Sequence, residues 1–242
     1  MQKRAIFGGT FNPIHWGHLL IAETALDQEQ LDQVIWVPSY HPPHRSTANL
    51  TDVGHRIEMV KQAIAPHPSF TLSTVERERE GTSYAINTLN DLKHLYPDCQ
   101  WYWIIGLDAF QSLPRWYRNQ ELAGQCGWLV VPRLLTPDFG PPARENLTEA
   151  ETASTVSDRD SSSDMPVTSS AASQIQSQCE TVANQMHQRG TALSWKCLQM
   201  PLIEISSSLI RQYCRDRRSI RYLVPDPVLT YIKEHNLYLG KS

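Results

Sequence analysis

His15 and His18, separated only by Trp16 and Gly17, close the run Phe7-Gly8-Gly9-Thr10-Phe11-Asn12-Pro13-Ile14-His15-Trp16-Gly17-His18. An apolar strand candidate, Ala5-Ile6-Phe7, comes before it. A helical pattern through Leu19, Leu20, Ala22, Glu23 and Leu26 follows. A helix start offers backbone N–H groups without intrahelical partners and the positive end of the helix dipole, and both suit an anion. Gly8 and Gly9 let backbone approach a phosphate with no Cβ in the way. Two imidazoles at that point suit the phosphates of a nucleoside triphosphate. A second phrase, Ile205-Ser206-Ser207-Ser208-Leu209-Ile210-Arg211, has similar chemistry. Ser206 reads as an N-cap, and Ser207 and Arg211 stand on one helix face. Hydroxyls, free N–H groups and a guanidinium suit pyrophosphate oxygens, although alone the phrase also fits an ordinary capped helix.

Elements that could hold these groups recur along the chain. Apolar strand candidates lie at Ala5 to Phe7, Val34 to Val37, Phe70 to Leu72, Trp101 to Ile105, Trp128 to Val131 and Trp195 to Met200. Helical patterns at Val53 to Ala65 and Ser83 to Tyr96 alternate with them. This alternation predicts an α/β fold, Rossmann-like and doubly wound, with a mostly parallel sheet and helices on both faces. Ligands of such sheets sit beyond the C-terminal strand ends, where Gly8-Gly9, Pro38-Ser39, Gly106-Leu107-Asp108 and Pro132-Arg133 fall.

One domain over residues 1–242 is expected, interrupted by a low-complexity insertion at about 134–172. That stretch is rich in Ser, Thr, Pro, Asp and Glu, so its composition predicts disorder. A helix with Ile175, Cys179, Val182 and Met186 on one face should follow, with a capping box at Ser173 and Gln176 and an end before Gly190.

Apolar residues make up 40% of the chain, and the net charge is −3. This balance argues against a nucleic-acid binder, so a phosphate site must gather positive charge locally. No apolar run reaches membrane-spanning length, and Met1-Gln2-Lys3-Arg4 runs straight into a strand, which predicts a cytoplasmic protein without a signal peptide. Cys99, Cys126, Cys179, Cys197 and Cys214 are odd in number with no C-x-x-C pair, and so read as reduced. His41 and His44 have no Cys or carboxylate company, and no protein metal site is expected.

The phrase Gly-Gly-Thr-Phe-Asn-Pro-Ile-His-x-Gly-His resembles the H-x-G-H nucleotidyltransferase superfamily, and in particular its bacterial nicotinate-nucleotide adenylyltransferases. The serine phrase is similar to the family's I-S-S-T-x-I-R, with Ser208 in place of Thr. Pro42-Pro43-His44-Arg45, Ser83-Tyr84, Ile105-Gly106-Leu107-Asp108 and Trp116 extend the likeness over Met1 to Arg133, and Ser194 to Gly240 continue it. Asn12 stands where many relatives have Asp.

The resemblance implies transfer of the adenylyl group of ATP to nicotinate mononucleotide, giving deamido-NAD and pyrophosphate, with Mg²⁺ carried mainly on the ATP phosphates. It implies catalytic roles for His18, His15 and Arg211. ATP would meet Gly8, Gly9, Thr10, Phe11, His15, His18, Gly106, Asp108, Ile205, Ser206, Ser207 and Arg211. The acceptor would meet His44, Arg45, Thr82, Tyr84 and Trp116, with Trp116 stacked on the pyridine ring. Nicotinamide mononucleotide or pantetheine phosphate as acceptor, or a non-catalytic nucleotide sensor, stay open at this level. An aminoacyl-tRNA synthetase does not, since the chain is short and has no K-M-S-K-S phrase. Neither a membrane nor a nucleic acid is expected as partner, and homo-oligomerisation stays open.

Overall fold

A computed structural model describes residues 1–42, 50–132, 167–201 and 203–240. Six strands build one sheet: β1 (Gln2–Gly9), β2 (Gln33–Pro38), β3 (Phe70–Leu72), β4 (Cys99–Gly106), β5 (Gly127–Val131) and β6 (Trp195–Cys197). They lie in the order β3-β2-β1-β4-β5-β6, and every pairing is parallel. The order reverses at β1, so the crevice of this doubly wound sheet opens between the C-terminal ends of β1 and β4. Register sets those ends level: Gly9 pairs with Pro38, Phe7 with Ile104, and Gly106 with Val131.

Alternation along each strand divides the core in two. Ala5, Phe7, Val34, Trp36, Ile104 and Leu129 face one side. There they meet α1 (Trp16–Gln28), α2 (Val53–Ile64), α8 (Ser207–Arg215) and α9 (Asp226–Glu234) through residues such as Ala22, Met59, Ile210 and Val228. Ile6, Ile35, Trp103, Ile105, Trp128 and Val130 face the other. They pack on α4 (Ala85–Leu95), α5 (Leu107–Ser112), α6 (Asn119–Ala123) and α7 (Val167–Gln188) through Leu89, Phe110, Leu122 and Val182. A further short helix, α3 (Val75–Arg79), precedes α4. All five cysteines are free thiols, as the sequence implies.

The helix expected to start at Ser173 begins at Val167 instead, so Ser173 lies inside it and the capping box is not its start. Cys179, Val182 and Met186 are buried as expected. Once that face is anchored, adding turns upstream costs far less than nucleating a helix, and short polar residues do not stop it. The stop falls where the sequence put it: Gly190 takes a φ of +82°, and Thr191 N–H returns to Met186 O at 3.0 Å. The remainder of the expected insertion, up to residue 166, lies outside the described residues.

Candidate active site

β1 delivers the glycine pair to the crevice, and the chain turns there into α1. His15 is the N-cap of α1 with extended backbone, and His18 occupies its first turn. The His15 N–H donates to His18 Nδ1 at 3.2 Å. An Nδ1 that accepts a hydrogen bond leaves the proton of the neutral ring on Nε2, so His18 is set as an N–H donor. The two imidazole centroids lie 3.7 Å apart. Burial, and secondarily the neighbouring His15, hold the His18 pKa well below its ordinary 6.5. Gly17 makes this pairing sterically tolerable, because a Cβ there would lie 3.1 Å from His15 Nδ1.

Gly9 has a similar constraint, since a Cβ would meet the Phe11 ring at 2.9 Å. Phe11 itself is buried among Phe7, His18 and Trp36. What Phe11 can offer a ligand is therefore backbone rather than side chain. Three carbonyls of the loop are taken by side-chain donors from elsewhere. Arg56 Nη1 reaches Thr10 O at 2.8 Å, Arg211 Nη1 reaches Asn12 O at 2.7 Å, and Ser207 Oγ reaches Pro13 O at 2.8 Å. Carbonyl dipoles held in this way are kept from swinging towards an anion.

Ser206 caps α8 as read from the sequence, accepting from Leu209 N at 3.1 Å. Ser207 and Arg211 do share a face, and that face braces the glycine loop. Arg211 Nη2 also donates to Ser208 Oγ at 3.2 Å. The two phosphate phrases are thus one assembly, joined across 194 and 199 positions of sequence. On the far side of the crevice, Gly106 is the N-cap of α5 and Asp108 lies exposed in its first turn. Ile205 is half-buried just ahead of the Ser206 cap.

The acceptor-side residues fall around the end of β2 and the start of α4. Ser39 N–H reaches Gly9 O at 2.8 Å, which sets the loop after β2 beside the glycine pair. His41 and Ser83 exchange two hydrogen bonds of 3.0 Å, N–H to Oγ and N–H to carbonyl. Thr82 is exposed, and the Tyr84 N–H turns back to Thr82 O at 2.9 Å. The Tyr84 ring lies 4.5 Å from that of Tyr117, next to Trp116. Trp116 is half-buried, fixed by Nε1 to Ser112 Oγ at 2.8 Å and set edge-on to Trp128. His44 and Arg45 lie outside the described residues.

Sequence reasoning missed three supports. Arg56, 1% exposed, ties α2 to the loop. Glu76, 6% exposed, accepts from Tyr40 N–H at 3.1 Å and from Thr88 Oγ1 at 2.7 Å. Tyr117 pairs with Tyr84.

This fold and this pair of phosphate phrases define a nucleotidyltransferase, and residues 6–213 match the cytidylyltransferase-like family. A "probable nicotinate-nucleotide adenylyltransferase" of Trichormus variabilis is 46% identical over 242 residues, covering 100% of each chain. The nicotinate-nucleotide adenylyltransferase of Bacillus subtilis is 34% identical, covering 98% of this chain and 99% of its own. The chain belongs to the nicotinate-nucleotide adenylyltransferase family. The Trichormus alignment runs through the insertion as well, so that stretch does not set this chain apart from every relative. Plasmodium falciparum nicotinic acid mononucleotide adenylyltransferase complexed with NaAD has the same fold. Its TM-score is 0.66 at 16% identity, with 98% of both chains covered.

Proposed function

We propose that this enzyme transfers the adenylyl group of ATP to nicotinate mononucleotide, releasing pyrophosphate and forming deamido-NAD. One observation carries the reading: the His15–His18 pair and the Ser206–Arg211 helix start converge on one glycine loop at the sheet's reversal point. The attacking group is the 5′-phosphate of the mononucleotide, largely ionised near neutral pH since its second pKa is about 6. It forms a new P–O bond to the α-phosphorus while the bond from that phosphorus to the β-phosphate oxygen breaks. No general base is needed. The remaining work is to align two anions and neutralise the departing pyrophosphate.

In this reading the His18 Nε2–H and the amides of the glycine loop meet the α- and β-phosphates, and Arg211 adds positive charge beside them. Among the described residues no group of three His, Cys, Asp or Glu is disposed to hold a metal. A Mg²⁺ ion would come with the triphosphate, whose oxygens suit this hard cation, and supply charge neutralisation there. The single sheet supports treating the chain as one domain. No described helix is long and apolar enough to cross a membrane.

The acceptor is argued from donors. Nicotinate and nicotinamide are nearly equal in size, so shape separates them poorly. The Thr82 backbone N–H, and the Tyr84 N–H once it gives up Thr82 O, would donate to a carboxylate, whereas a carboxamide NH₂ sets donor against donor. A coupled assay on both mononucleotides is expected to give at least roughly tenfold higher kcat/KM for the acid, about 1.4 kcal/mol. Equal or faster use of the amide would overturn the acceptor while leaving adenylyl transfer intact.

A further inference from the structure

The glycine loop has one more support, from the segment after α9. Asn12 is 5% exposed, and its side-chain oxygen accepts from the Tyr238 hydroxyl at 2.8 Å. Thr51, just ahead of α2, lies beside that hydroxyl. Arg56 ties Thr51 to the same glycine loop, with Nε on Thr51 O at 2.9 Å and Nη1 on Thr10 O at 2.8 Å. Arg211 holds the main chain of the same Asn12 whose side chain Tyr238 holds. Burial raises the Tyr238 pKa, outweighing the opposite pull of Arg211 and Arg56, so the phenol stays protonated and stays a donor.

We propose that Tyr238 is a positioning residue for adenylyl transfer, acting through Asn12. The inference rests on the function proposed above. Asn12 lies three residues before His15, and its carbonyl is the anchor of Arg211 Nη1. With its side chain fixed, the peptide plane that Arg211 binds is fixed too, and so is the approach of the chain to the His15 cap. Without the hydroxyl, the Asn12 side-chain oxygen loses this hydrogen bond and the loop gains freedom at the point between the two phosphate phrases. Alignment of reacting phosphates is sensitive to displacements of about 1 Å, which can cost about 10²-fold in rate. Turnover should therefore suffer more than the binding of ATP.

The test compares Tyr238→Phe, Asn12→Ala, the double variant and Asn12→Asp with the wild type, using whichever mononucleotide the wild type accepts. Tyr238→Phe keeps the ring and its packing. It should lower kcat roughly tenfold while KM for ATP moves less than about threefold and the melting temperature changes little. Asn12→Ala should match it, and the double variant should lose no more than either alone, because both remove one interaction. Asn12→Asp keeps an acceptor oxygen and should retain most of the rate. Unchanged kcat in Tyr238→Phe, or losses that multiply in the double variant, would overturn the inference. So would a kcat deficit that disappears once the fraction of folded protein is corrected for. A failed acceptor assignment would be visible in the wild type, and a failed positioning role only in the variants.

Discussion

With ring centroids 3.7 Å apart, His15 and His18 cannot comfortably both be imidazolium, and burial already disfavours the charge on His18. This has a consequence for stability. A histidine whose folded-state pKa is depressed leaves the unfolded chain as the better proton acceptor. Stability from this source is full above the ordinary value of 6.5 and is lost as pH falls from there towards the depressed folded value. The melting temperature of the ligand-free enzyme should accordingly fall between about pH 7 and pH 5, and His18→Gln should flatten that slope. Bound triphosphate reverses the bias, since its negative charge favours imidazolium. Calorimetry of ATP binding in two buffers of different ionisation enthalpy should therefore give proton uptake in the wild type and less in His18→Gln. Identical heats for the wild type in both buffers would mean that His18 meets the phosphates as the neutral Nε2–H donor and not as imidazolium.

The first turn of α1 works only because Gly17 leaves the His15 ring in place. Gly17→Ala opposes two effects: alanine favours a helix by about 1 kcal/mol, yet its Cβ would sit 3.1 Å from His15 Nδ1. The expected result is an unchanged or higher melting temperature with kcat reduced at least about tenfold, read by thermal unfolding and steady-state kinetics. A variant of full activity would mean that the His15 ring orientation is immaterial. Elements of this kind were largely legible in the sequence. All six strands were marked by apolar runs, and α1, α2 and α4 by their periodicity. Helices α3, α5 and α6 were not, because five or six residues hold too little of a helical period to register. Glu76 sits in the run Glu76-Arg77-Glu78-Arg79-Glu80, which reads as a solvated charge cluster. Its burial against Thr88 and Tyr40 depends on partners up to 36 residues away. The histidines, the Ser206 cap and the shared face of Ser207 and Arg211 were readable because local spacing defines them. That this face would grip the carbonyls of Asn12 and Pro13 was not, since only the folded sheet brings residues so far apart in sequence together.

Across the whole molecule, β5 ends at Val131 and α7 begins at Val167. Replacing residues 141–165 by a short Gly/Ser linker should leave kcat within about twofold and the melting temperature nearly unchanged, since loop closure changes by roughly 0.6 kcal/mol per doubling of length. A folded variant with a large loss of turnover would give that segment a part in the reaction. The bond between Asn12 and Tyr238 spans 226 positions and bears on the order in which the molecule is made. On the ribosome the glycine loop emerges 226 positions ahead of this support. A growing chain can pair β1 with β2, and later with β4, long before Tyr238 exists. The support of Asn12 is therefore finished only after Tyr238 has been made, and chains that stop short of it have no complete pocket with which to sequester ATP.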